Sequence, residues 1–250
     1  MQDSTKLENI WGILTKFAGK SILMRQGLKI VFEDQWLVVV EKPNGMLSVA
    51  TDKGREVTAH SMLREEFGRI FIVHRLDRDT SGLLVFAKDE ETKLALMENW
   101  EEAVQERRYT AILEGCIDDE EGYIETWMYE NPRSLMVHCY GLDADDDPQK
   151  PPRKDWKYAS SHCRKTRSLT INGNPYTEVE FNLETGRRNQ IRVHSQWIGH
   201  PIAGDRKYGA KTNPFGRLAL HARGLAFIHP WTGKVLKFTA PLPKALKRSL

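Results

Sequence analysis

The segment His74-Arg75-Leu76-Asp77-Arg78-Asp79-Thr80-Ser81-Gly82 gathers two carboxylates, two arginines, an imidazole and two hydroxyls before closing on glycine. Carboxylates taken out of water must be paired, and a basic residue adjoins each one here. Two readings of the carboxylates stay open: a salt-bridged turn, or general acid–base or nucleophilic work. A kinase-type H-R-D loop does not fit, because Leu76 separates Arg75 from Asp77 and no glycine-rich phosphate loop precedes them. A second constellation is Glu184-Thr185-Gly186-Arg187-Arg188-Asn189-Gln190-Ile191-Arg192-Val193-His194. With Ile191 packed inward, a helix here projects Arg188 and Arg192 together. Like charges on one face cost energy unless they meet an anion, whether a nucleic-acid phosphate, a buried carboxylate or solvent counterions. The third constellation, Arg107-Arg108-Tyr109, places a phenol at the start of a strand. His194 and His200 lack a carboxylate partner at metal-site spacing, so no metal is expected there.

These groups need elements to hold them. Ile70–Val73 and Leu83–Ala87 are short apolar runs on either side of the 74–82 loop, an arrangement that often carries catalytic groups. Leu28 to Val40 reads as two extended pieces around Glu33-Asp34-Gln35. The continuous apolar run Trp36–Val40 suits a strand buried on both faces, and Lys42-Pro43-Asn44-Gly45 turns the chain. Residues 58–67 predict a helix stopped at Gly68, and Asp89 caps another to about Val104. Tyr109–Leu113 is a strand, with Tyr123–Met128 expected to pair with it. Thr177–Leu183 alternates strictly, as a half-buried strand does. Gly186 to Asn189 opens a helix through Gln190 to Trp197 that stops at Gly199. Residues 218–228 and 235–239 are further strands, and 143–155, with its prolines and charges, is a loop. No repeat of 20–50 residues is visible. The tally predicts an α+β fold: a single catalytic domain on a large, mostly antiparallel mixed β-sheet flanked by helices and loops. That domain spans 28–240, after a 1–27 arm with a short amphipathic helix over residues 4–17, and before a 241–250 tail.

Composition narrows the class only modestly. The 250 residues carry 37 Lys+Arg against 34 Asp+Glu, a net charge of +3 that is compatible with nucleic acid without demanding it. Cys116, Cys139 and Cys163 are odd in number and lack CxxC spacing, so neither a disulfide framework nor zinc is suggested and all are expected as small buried hydrophobes. Met1 to Lys20 lacks the basic start and apolar run of a signal peptide. The longest apolar stretches fall far short of the ~20 residues of a membrane span. A soluble cytoplasmic protein is expected, with no membrane association.

Taken in order, the motifs resemble those of the RluA-type pseudouridine synthases. His74-Arg75-Leu76-Asp77 with Thr80-Ser81-Gly82-Leu83-Leu84 is similar to the family signature, and Lys42-Pro43-Asn44-Gly45 to its "KPxG" turn. Arg107-Arg108-Tyr109-Thr110-Ala111 resembles its tyrosine motif, and Thr185-Gly186-Arg187 with Gln190-Ile191-Arg192-Val193-His194 its "TGRxHQIRVH" helix. Gly199-His200-Pro201-Ile202-Ala203-Gly204-Asp205, Tyr208-Gly209 and His221-Ala222 follow in family order. The resemblance covers about residues 28–240. Asn189 stands where the family usually has histidine, and Arg107 where lysine is common. Residues 1–27 do not resemble the S4 RNA-binding domain of some relatives.

The resemblance implies the pseudouridine synthase fold and isomerisation of uridine to pseudouridine in structured ribosomal or transfer RNA. It makes Asp77 the catalytic carboxylate, Tyr109 the active-site tyrosine and Arg192 the arginine paired with Asp77 in a bidentate contact. Arg75, Arg187 and Arg188 are candidates for phosphate contacts. Asp79 and His74 are expected to be structural, His74 through a backbone bond. No cofactor and no obligate protein partner are implied. Three other readings compete: a catalytically silent RNA-binding protein on the same fold, a metal-dependent hydrolase using Asp77 and Asp79, and a nucleotide-binding enzyme of another class. The intact Asp77–Tyr109–Arg192 set weighs against the first. The second lacks further ligands, and the third lacks a P-loop or GxGxxG.

Overall fold

Strands β2 (Leu37–Lys42) and β4 (Ser81–Ala87) are the apolar runs that lack alternation, and both are buried on two faces. Val38, Val40, Leu84 and Phe86 point to one side, where helix α1 (Ala59–Phe67) lays Ala59, Met62 and Leu63 on them. Leu37, Val39, Leu83, Val85 and Ala87 point to the other, against Leu96 of α2 (Glu90–Glu98) and Phe227 of β10 (Leu220–Ile228). A strand covered on both faces has no solvent side and so no polar alternation.

The computed structural model describes residues 27–50, 56–98, 100–143 and 145–247. The helix expected over residues 4–17 lies outside them. The other elements are β1 (Lys29–Glu33), β3 (Phe71–Ile72), α3 (Trp100–Ala103), β5 (Val104–Glu114), β6 (Glu121–Glu130), β7 (Val137–Gly141), β8 (Lys157–Ile171), β9 (Asn174–Leu183), α4 (Gln190–Trp197), β11 (Val235–Thr239) and α5 (Lys244–Lys247). A 3-10 turn covers Arg206–Tyr208. The strands form one mixed sheet in the order β1-β2-β4-β10-β5-β9-β8-β6-β7, with β3 added to β4 and β11 to β10. Every described strand pair is antiparallel except β4–β10, which meet in parallel at Ser81–Gly82 and His221–Ala222. The α+β fold on a mostly antiparallel mixed sheet is therefore observed, and β10 joins its two halves.

Several local expectations are corrected. Tyr123–Met128 lies in β6, which pairs with β7 and β8; β5 pairs instead with β9 and β10. The helix begun at Asp89, whose carboxylate accepts the Thr92 N–H, ends at Glu98; α3 follows, and Val104 already opens β5. The polar face of β9 is more enclosed than alternation implies, because Arg167 covers Glu178 while Arg108 and Arg164 bracket Glu180. The cysteines are not core residues: Cys116 is exposed, Cys139 and Cys163 are half-buried, and all are free. Partial burial pushes the Cys139 thiol up to about 12. The 143–155 loop joins β7 to β8 and is tied down by Asp146, which accepts from the Trp127 indole at 2.9 Å, and by the Tyr140–Trp156 stack at 4.3 Å. Beyond residue 240, Leu246 of α5 inserts into the core.

Candidate active site

The 74–80 loop leaves β3 and enters β4 where β4 meets β10. Gly82 makes that junction possible: its φ is +122°, and a Cβ there would sit 2.1 Å from the Ala222 carbonyl oxygen. The Lys42–Gly45 turn lashes the loop from beneath. The buried Lys42 ammonium donates to the carbonyls of Pro43, Met46 and Arg78, at 3.0, 2.7 and 3.0 Å. Burial pulls its pKa down to about 7, against the opposing pull of Asp77 and Asp79. The Gly45 N–H also reaches Arg78 O, the Asn44 amide reaches Asp79 O, and Ser48 Oγ both donates to and accepts from the Leu76 backbone. Asp77 thus rides on a loop whose backbone is anchored on both sides of it.

His74 accepts the Val85 N–H through Nε2 at 3.2 Å, the structural backbone bond expected of it. Burial, helped by Arg107, holds it neutral, with a pKa pushed down to about 3.

The opposite wall comes from the loop before α4. Gln190 pins it: its Oε1 accepts from Thr185 Oγ1 and from the Arg187 N–H, while its Nε2 donates to Ser160 O and Ser161 Oγ. Asn189 caps α4 in the left-handed conformation (φ +55°), which asparagine tolerates better than most residues. Its amide donates to the Tyr208 hydroxyl at 2.9 Å.

Arg192 is largely buried, and its planar fork grips Asp205: Nε to Oδ2 at 2.7 Å and Nη2 to Oδ1 at 2.8 Å. The remaining Nη1 reaches Asp77 Oδ2 and Asn189 Oδ1, both at 3.3 Å. The expected bidentate contact with Asp77 is therefore corrected to one longer hydrogen bond, because Asp205 occupies the two-donor edge. The Arg192 guanidinium also lies over the Tyr208 ring, 4.9 Å from its centroid. Burial alone would lower the Arg192 pKa, but the hydrogen bonds and charge of Asp205, followed by Asp77, raise it. Arg188 does not share a helix face with Arg192: it precedes the cap and pairs with Glu130 at the surface.

One cavity of about 320 Å³ gathers all six expected site residues: Asp77, Tyr109, Arg192, Arg75, Arg187 and Arg188. Arg75 is exposed, and Arg187 is steadied by donation from Nε to Tyr158 O at 2.9 Å. The Asp77 carboxylate keeps about a quarter of its surface open. Burial pushes the Tyr109 phenol up to about 12, with Arg107 opposing and Asp77 assisting, so it is a neutral phenol at physiological pH. Among the described residues no group of three or more His, Cys, Asp and Glu is arranged to hold a metal. His194 bonds Thr126 and Ser161, and His200 bonds Glu114 O. No described helix is long and apolar enough to cross a membrane.

Asp205, Asn189, Tyr208 and Lys42 complete the site and were given no role from sequence. A buried arginine implies a buried acid, which was the signal available for Asp205.

Comparison with known proteins identifies the family. The family model described as RNA pseudouridylate synthase matches residues 36–197. The chain is 36% identical over 227 residues to the uncharacterized RNA pseudouridine synthase YlyB of Bacillus subtilis, covering 87% of this chain and 70% of that one. It is 37% identical over 210 residues to the dual-specificity RNA pseudouridine synthase RluA of Vibrio parahaemolyticus, covering 80% of this chain and 78% of that one. The solved structure of human RNA pseudouridylate synthase domain containing 1 superposes with a TM-score of 0.70 at 25% identity, over 86% of this chain and 84% of that one.

Proposed function

The chain belongs to the RNA pseudouridylate synthase family, and on that premise we propose that it isomerises specific uridines of structured RNA to pseudouridine, with Asp77 as the catalytic carboxylate. The reaction breaks C1′–N1, turns the uracil and joins C5 to C1′. C5 gives up a proton and N1 ends with one, so the conversion balances with no external reactant and no redox change. It calls for a carboxylate, proton handling and a pocket that retains the detached base, and for no cofactor.

The observation that supports this reading best is the enclosure of Asp77, Tyr109 and Arg192 in one cavity, with Arg75, Arg187 and Arg188 in its wall. Asp77 acts as nucleophile at the sugar or as the charge that stabilises glycosidic cleavage and accepts the proton. Arg192 holds it in place through one charge-assisted hydrogen bond. Tyr109, neutral below about 12, stacks on the uracil and donates, and does not work as a phenolate. The arginines hold the RNA backbone, which positions without reading sequence. The uridine must leave its stack, which is cheapest in loops and short stems. Ribosomal or transfer RNA is accordingly the substrate class, met in the cytoplasm. The catalytic unit is residues 28–240 together with α5, whose Leu246 completes its core, working without an obligate protein partner.

The test is a map of pseudouridines in total RNA from cells with and without the protein, complemented by wild type or by Asp77→Asn. At least one site should vanish with the protein, return with wild type and stay absent with Asp77→Asn. Restoration by Asp77→Asn would remove the carboxylate from the mechanism, and an unchanged map would remove the activity.

A further inference from the structure

Beside the Asp77 cavity opens a second, of about 630 Å³. Arg75, Tyr109, Leu183, Gly186 and Arg187 line both, so the two share a wall. The second cavity also draws on residues that the first does not use: Met97, Glu98, Trp100 and Glu102 from the α2–α3 segment, and Arg107 from β5.

Three features describe its occupant. Its volume lies within the about 300–1,000 Å³ usual for ligand pockets. The half-buried Trp100 indole is braced against the His74 ring, with centroids 4.9 Å apart and planes 33° from parallel. Because His74 is neutral, the brace adds no charge, and the indole is a ready aromatic platform of the kind on which bases stack. The third feature is charge. Arg75, Arg107 and Arg187 come from the 74–80 loop, β5 and the loop before α4, whereas Glu98 and Glu102 come from the helical segment. Arg107 sits at the junction of the cavities: it donates to Glu184 O, and a Cβ on Gly186 would come within 2.9 Å of its Nη1. A ligand that is anionic throughout would be repelled by the carboxylates. A nucleotide has a phosphate at one end and base-edge amino donors at the other, and carboxylates accept from such amino groups.

We propose that this cavity receives the unpaired nucleotide adjoining the target uridine, with its base against Trp100 and its amino group donating to Glu98 or Glu102. Cytosine, adenine or guanine is then favoured at that neighbour over uracil, whose exocyclic groups are carbonyls. This rests on the proposed function and names a specificity subsite for it.

The test measures fluorescence anisotropy of Asp77→Asn protein with hairpin RNAs that carry one loop uridine and every base in turn on each side of it. Hairpins with an amino-bearing base on one particular side should bind more tightly than those with uracil there. Adding Trp100→Ala should weaken binding about tenfold, the scale of one lost base–aromatic stack. Because Trp100 also packs on the core, the joint change of the exposed carboxylates, Glu98→Gln with Glu102→Gln, is the decisive arm. It should erase the neighbour preference while the uracil-flanked hairpin binds no worse. Equal affinity for every neighbour, or a preference that survives the glutamine pair, overturns the subsite. Failure of the functional reading looks different: wild-type protein forming no pseudouridine, while the Glu98- and Glu102-dependent preference persists, would leave the subsite standing.

Discussion

Asp205 and Asp77 share the Arg192 guanidinium under opposite conditions. Asp205 is 2% exposed, has each oxygen in the arginine fork, and accepts the Tyr208 N–H as well. Asp77 receives one Arg192 donor at 3.3 Å, and its side chain is 24% exposed toward a cavity. A carboxylate saturated by its neighbours can only hold them in place. One left with spare acceptor capacity can take a new partner, which the proposed function makes a sugar or a proton. The same arginine thus divides the site into a holding half, Asp205–Tyr208–Asn189, and a reacting half, Asp77–Tyr109.

Paired asparagine substitutions break the comparison most sharply. Asp77→Asn should abolish pseudouridine formation yet shift unfolding by about 1 kcal/mol or less, since Arg192 keeps its main partner. Asp205→Asn should destabilise by about 3–5 kcal/mol, because it leaves a buried guanidinium with only the 3.3 Å Asp77 contact as its carboxylate partner. A urea titration of both variants beside a pseudouridine assay decides. If Asp205→Asn unfolds no earlier than Asp77→Asn, the division into halves is wrong.

Arg192→Lys probes the link between the halves. An ammonium keeps the charge but cannot fork to both Asp205 oxygens while reaching Asp77. Losing one charge-assisted bond should cost about 1.5–3 kcal/mol. Looser aim of Asp77 should lower turnover about a hundredfold, with RNA affinity much less affected. Equal losses in affinity and turnover would show Arg192 to be an RNA contact and not an aiming residue.

The residues of the proposed reacting half stood out in the sequence, whereas those of the holding half did not. Asp77, Arg75 and Tyr109 sit in short dense motifs, so their types and order carry the signal. The need for an anion near Arg192 was also readable, with a buried carboxylate among the choices. That it is Asp205 depends on how the chain after α4 turns through Arg206–Tyr208 against it, which no local pattern encodes. The same limit explains the sheet. The double-sided burial of β2 and β4 shows in their unbroken apolar runs, but Tyr123–Met128 pairs with β7 and with β8, the latter reached only after β7 and the 143–155 loop intervene. Met97, Glu98, Trp100 and Glu102 match no motif, so the cavity that they line was invisible.

The buried histidines supply a pH test of the packing around the site, beginning with His194 on the helix that carries Arg192. Burial lowers the His194 pKa from 6.5 to about 4. Below pH 6.5 the unfolded chain takes up a proton that the folded chain refuses, so stability present above 6.5 is lost as pH falls toward 4. His194→Gln should give a protein less stable at pH 7, having lost the Thr126 and Ser161 bonds, but with a shallower decline on acidification. The fall of the thermal midpoint across that window measures it. A slope as steep as wild type would place the acid sensitivity elsewhere, with His74 and His221, also buried and depressed, next in line.

The smallest effect belongs to Arg188, which lies in the cavity wall but outside both halves. Its surface pair with Glu130 leaves both side chains more than a third exposed, and such pairs are worth about 0–1 kcal/mol. Arg188→Ala should therefore leave unfolding almost unchanged and turnover at saturating RNA close to wild type. On the proposed function it removes a cation that would exchange Glu130 for a phosphate when RNA arrives. One lost phosphate contact reduces the slope of log affinity against log salt by about 0.7–0.9. Because Glu130 already screens this arginine in the free protein, the observed change should fall at or below that range. Affinity measured across a salt series for wild type and variant decides. An unchanged slope would mean that Arg188 stays paired with Glu130 in the complex, leaving Arg75 and Arg187 to hold the backbone.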